Sequence, residues 1–167
     1  TYVVSRRIVF LSGGITHSSF GGIGIAYYLG LNPILGAAVF AILSAIGIEW
    51  ASDRGRIRED SAIGIVWSVG MAVGIIFVYL TPGYAPNLMS FLFGNILTVT
   101  MTDIICLGAL AGVLLAVFAL MMHPIMYVAF DREFSRSQGM PVRFISYMMA
   151  VLIALAIVFS IRTVGIV

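Results

Sequence analysis

The chain has 167 residues, of which 61% are hydrophobic and only 10% charged, with a mean hydropathy of +1.11. That composition excludes an ordinary soluble domain. The net charge of +2 sets nine arginines, with no lysine, against seven acidic residues. The arginines fall in clusters separated by stretches long enough to cross hydrocarbon, so they cannot form one nucleic-acid-binding surface.

About 20 helical residues span ~30 Å of hydrocarbon at 1.5 Å each. In chain order, the segments that fit are 8–30, 33–50, 61–80, 102–128 and 144–162. Leu31-Asn32-Pro33 reads as a tight turn, Asp53 to Asp60 as a charged loop, and Thr81 to Asn87 as a loop rich in helix breakers. The expected fold is all-α: a polytopic transmembrane bundle with about five spans and a short cytoplasmic helix. Residues 1–167 read as one transmembrane domain cut at both ends, and Thr1 to Gly30 lacks the pattern of a signal peptide.

Threading the segments alternately places Arg6, Arg7, Arg54, Arg56, Arg58, Arg132, Arg136 and Arg143 on one side. By the positive-inside rule that side is the cytoplasm. Arg162 is the exception, snorkelling to the opposite interface or pairing elsewhere. The connection 81–101 then lies outside the cytoplasm, and its apolar stretch Leu88 to Leu97, too short to span, is expected as an interfacial or re-entrant helix. Trp50, Tyr79 and Tyr84 fall near span boundaries, where amphipathic rings favour the headgroup level or simply pack.

In the first segment Gly14, Ser18, Gly22 and Ala26 recur every fourth residue, giving a stripe almost without side chains that another backbone can approach. The adjacent stripe carries His17, about 15 Å of helix from Arg7 and hence near mid-bilayer. An ionisable group at that depth is either a candidate for ion or substrate handling or a neutral imidazole bonded across a helix pair. His123, before Pro124, is expected to be structural, Glu49 and Asp103 to be boundary charges, and Cys106 to be a small core hydrophobe. Between two spans, Phe130 to Pro141 reads as a short helix. Asp131 suits its N-cap, Gly139 its left-handed C-terminal position, and Pro141 its stop. With Phe134 on one face and charges on the other, it suits docking on a soluble partner or a solvated linker. No Gly-rich phosphate loop ending in Gly-Lys-Ser/Thr, Ser/His/Asp arrangement or HExxH motif is present, which excludes ATP binding of that type and the corresponding hydrolases.

Four motifs together resemble the permease subunits of the ABC-3 class, which import manganese, zinc or iron in bacteria. They are Arg6-Arg7 followed by Gly14-Ile15-Thr16-His17-Ser18-Ser19-Phe20-Gly21-Gly22; Glu59-Asp60-Ser61-Ala62-Ile63-Gly64-Ile65; Leu92-Phe93-Gly94-Asn95-Ile96-Leu97; and Phe130-Asp131-Arg132-Glu133-Phe134 with Gly139. The resemblance implies a homodimeric permease in the bacterial cytoplasmic membrane. Its partners would be cytoplasmic ABC ATPase subunits and an extracytoplasmic metal-binding protein. It implies a divalent metal ion as cargo, no permanently bound cofactor, and no enzymatic activity in the permease itself. On this resemblance, residues 130–141 form the coupling helix, with Asp131, Glu133, Phe134 and Gly139 meeting the ATPase, and His17 is a metal-pathway ligand. One departure stands out: the family often carries Asp one turn before that histidine, where this chain has Gly13. Two other readings are a permease for a metal chelate of siderophore or cobalamin type and a structural membrane protein without a path.

Overall fold

The computed structural model describes residues 9–54, 57–81 and 100–164. Six helices and no strand occur among them: α1 (Val9–Tyr28), α2 (Pro33–Asp53), α3 (Glu59–Leu80), α4 (Met101–Phe130), α5 (Arg132–Ser137) and α6 (Val142–Val164). The protein is an all-α membrane helical bundle. The expected Leu88–Leu97 helix, the Leu92–Leu97 motif, Tyr84, Arg6, Arg7 and Arg56 lie outside the described residues, as does the side chain of Arg162.

Local chemistry sets the helix ends. At the end of α1, Gly30 takes φ +68°, the Gly30 N–H donates to the Tyr27 carbonyl, and the Leu31 N–H reaches back to Ala26. This double closure satisfies carbonyls that the helix end leaves without partners. Asn32 then caps α2, its side chain accepting from the Ile34 N–H at 3.0 Å, and Pro33 occupies the first helical position, where its missing N–H is harmless. Helix α4 opens with a reciprocal cap. The Asp103 carboxylate accepts from the Thr100 N–H at 2.8 Å, and the Thr100 hydroxyl accepts from the Asp103 N–H. Asp103 is thus the boundary charge expected of it. Inside α4, Met121 has φ −120° and ψ 21°, a kink placed where the Pro124 ring disturbs the preceding turn.

Helices α2, α3, α4 and α6 are long and apolar enough to cross a membrane. Helix α1 has the length, 20 residues, but half of them are Gly, Ser, Thr or His. It tolerates that content because it packs between α2 and α3 and also touches α6. Its hydroxyls turn inward onto their own helix, with Thr16 donating to Ser12, Ser18 to Ile15 and Ser19 to Thr16 carbonyls. The core runs from Ile15 through Ala41, Ala45 and Ile48 of α2 to Ile145 and Ala154 of α6. Helix α4 buries only Ile125 and Val128, so Cys106 on it is half-buried instead of lying in the core.

Candidate metal path and cytoplasmic docking helix

Gly14, Ser18, Gly22 and Ala26 are all buried, and the stripe they form faces two helices at once. Gly14 and Ser18 face α3, through Ile63 and Gly70, while Gly22 and Ala26 face α2 at Gly36. The approach is close: a Cβ added to Gly70 would stand 2.5 Å from Ser18 Cα, and one added to Gly24 would stand 2.6 Å from the Gly74 carbonyl oxygen. Gly36, Gly70 and Gly74 therefore matter to the seam as much as the residues of α1. The Gly70-x-x-x-Gly74 spacing is the sequence signal that identifies the α3 side.

On the stripe next to this seam, near the middle of α1, His17 is half-buried. Its ring lies parallel to that of Trp67 on α3, with centroids 4.5 Å apart and planes within 2°. Trp67 is 37% exposed. Sequence reasoning gave Trp67 no role, although a tryptophan in mid-span rather than at a headgroup boundary is itself unusual. Among the described residues no three His, Cys, Asp or Glu side chains gather as a ready metal cage. His123 is exposed on α4, and Asp103 is occupied by its cap. A Cβ at Gly13, one turn before His17, would meet nothing within 4 Å. The space beside the imidazole on that side is open.

At the opposite extreme of polarity, charge gathers where α2 ends, α3 begins, and α5 and α6 start. Arg54, Arg58, Arg132, Arg136 and Arg143 all belong to these termini, while Arg162 lies near the far end of α6. Arg54 lies over the Trp50 ring, 4.6 Å from its centroid. Glu49 is not the boundary charge expected from sequence: it is 5% exposed and receives a charge-assisted hydrogen bond from Arg132 Nη2. The same nitrogen donates to Ser146 Oγ at 2.6 Å. One turn further along α2, Asp53 receives Arg136 at 2.7 Å and Arg143 at 3.0 Å. The sequence signal lay in Glu49 and Asp53 themselves, two carboxylates four residues apart and so on one helix face.

Helix α5 is shaped by its ends. Asp131 accepts from the Phe134 N–H at 2.9 Å, while Gly139, at φ +73°, and Met140 close the other end onto Arg136 and Ser135. Pro141 precedes α6, and its carbonyl accepts the Ile145 N–H in that helix's first turn. Ser135 is fully buried, whereas Asp131, Glu133, Phe134 and Gly139 are exposed. A short helix is thus pinned on one face and presents an aromatic ring and carboxylates on the other.

Comparison with known proteins places this architecture. The chain is 34% identical to an uncharacterized membrane protein of Synechocystis over 100% of its own length and 59% of the relative's. It is 31% identical to the manganese transport system membrane protein MntC of Halalkalibacterium halodurans, covering 99% of this chain and 57% of that protein. Among solved structures it superposes on PsaBC from Streptococcus pneumoniae, determined in complex with Fab, with a TM-score of 0.79 and 31% identity over 99% of this chain and 59% of that one. The chain therefore spans under two thirds of the length of these relatives. The family model of the ABC 3 transport family matches residues 1–167, and the chain belongs to that family.

Proposed function

We propose that this chain is the membrane-spanning core of a permease subunit in an ATP-binding-cassette importer that moves a divalent transition-metal ion, Mn, Zn or Fe, into the cytoplasm. The observation that carries this reading is the pairing of a half-buried imidazole near the middle of α1, His17, with a pinned helix at the arginine-rich end whose free face offers Glu133 and Phe134. The naming of MntC, a relative, for manganese transport supports the metal class.

In this reading the ion is cargo, and no cofactor is held permanently. A single neutral imidazole is a good but solitary ligand for such ions, since stable sites use several. Transport requires binding strong enough to enter and weak enough to leave, and one imidazole beside open space at Gly13 meets that condition. Stacking on Trp67 holds the plane of the His17 ring. Hydrolysis of ATP belongs to separate cytoplasmic subunits docked on the Asp131–Gly139 segment, and the permease does no covalent chemistry. Metal arrives from an extracytoplasmic binding protein. Two permease copies form the path, in the bacterial cytoplasmic membrane. Gly14, Ser18, Gly22 and Ala26 hold α1 against its neighbours while the halves rock.

The test is uptake of radiolabelled Mn, Zn and Fe by cells that lack their own importer and express the full-length protein with its ATPase and binding protein. Uptake of one of these ions is expected, and His17→Ala is expected to abolish it. Uptake that is indifferent to His17 removes the path role, and no uptake of any of the three removes the metal reading.

A further inference from the structure

Helix α5 has six residues, far fewer than an isolated helix needs to persist in water. Its caps close its ends but do not fix it to the bundle. Besides the buried Ser135, arginine ties it there: Arg132 enters the bundle between α2 and α6, where one guanidinium nitrogen serves both Glu49 and Ser146. Arg136 adds a link to Asp53, which also receives Arg143 from α6.

These links are unequal. Arg136 and Arg143 are exposed, with side chains 51% and 76% accessible, so their bonds to Asp53 can exchange with water. Glu49 is 6% accessible in its side chain, and pulling Arg132 away leaves its buried carboxylate without a cationic partner. A displacement of α5 is therefore cheaper if α2 and α6 follow than if the Arg132 contact breaks. Helix α2 in turn meets α1 backbone to backbone at Gly36 and Gly22, and α1 carries His17. The chain of contacts from α5 to the imidazole's helix is continuous and contains one buried ionic joint.

We propose that Glu49 is a positioning residue for energy coupling: through Arg132 and Ser146 it makes α5, α2 and α6 move as one body, so that force on α5 reaches the helix bearing His17. The inference rests on the reading of α5 as the ATPase-docking helix.

The experiment uses the full-length permease reconstituted in nanodiscs with its ATPase and metal-binding protein, and Mn, Zn or Fe as cargo. Its readout is the ratio of cargo-stimulated to unstimulated ATP hydrolysis. A cysteine placed by Gln138→Cys at the exposed end of α5 reports docking by cross-linking to the ATPase. Glu49→Gln is expected to lower the ratio about fivefold or more while the cross-link persists. The double variant Glu49→Met with Arg132→Met strands no charge and is expected to keep most of the native thermal stability. It should nonetheless show the lowered ratio, which a purely structural role of the pair does not predict. A native ratio in the double variant, with the cross-link intact, overturns the inference alone. Absence of the cross-link in the otherwise native complex overturns the docking reading and the inference with it.

Discussion

Two ends of this bundle are held together by opposite means. Between α1, α2 and α3 the contact is made by what is missing: Gly22 meets Gly36 and Ser18 meets Gly70 with scarcely a side chain between backbones. At the arginine-rich end the contact is made by long side chains, three arginines answering the two carboxylates of α2. In a membrane, where lipid competes equally for apolar surface, close packing and satisfied polar groups are the two forces left to associate helices. The protein uses each at a different depth. The seam is sensitive to volume and indifferent to charge, and the arginine cluster is the reverse.

That contrast is broken most strongly at Arg132. Arg132→Met leaves Glu49 buried without its partner and is expected to destabilise the chain by about 3 kcal/mol, towards the lower end for a buried pair because the arginine side chain is 26% accessible. Unfolding in detergent, followed by circular dichroism, measures this, and adding Glu49→Met is expected to restore most of the loss. A loss that the second substitution fails to recover means the arginine acts through packing and not through charge.

The next effect is steric. Gly22→Ala puts a methyl group against the Gly36 backbone and is expected to cost about 1–3 kcal/mol, whereas Gly13→Ala, on the same helix with nothing within 4 Å, is expected to gain about 0.5 kcal/mol from helix propensity. Equal effects at the two positions, in the same detergent assay, contradict the seam as described. The smallest change is expected at the cap of α5. Asp131→Ala removes the acceptor for the Phe134 N–H and costs about 1 kcal/mol locally, read as faster amide exchange over residues 132–137 with the global transition unmoved.

Much of this fold was legible before any coordinates. The five apolar segments fall within a few residues of α1, α2, α3, α4 and α6, because a 20-residue apolar run between breakers has few alternatives in lipid. Asp131 and Gly139 announce the ends of α5 by the same logic, since each does locally what few other residues can. Glu49 was not legible. A carboxylate four residues from a charged loop looks like an interfacial residue until the chain brings Arg132 back to it across 83 positions of sequence. Trp67 was missed for a similar reason, since its partner His17 lies on another helix and nothing in the local pattern of α3 points to it. Pairings of distant residues depend on which helices become neighbours, and periodicity within one helix does not encode that.

The glycine seam has one further consequence, which concerns entropy. A helix surface built from Gly14, Ser18, Gly22 and Ala26 has almost no rotamers to lose when it meets Gly36, Gly70 and Gly74, so assembly there orders very little beyond the helices themselves. Larger side chains enter the seam singly, Ile63 against Gly14, Phe40 against Gly21 and Gly22, and Phe20 against Gly74. Such a seam holds its helices by the closeness of their backbones, and it is the helix carrying His17 that it holds.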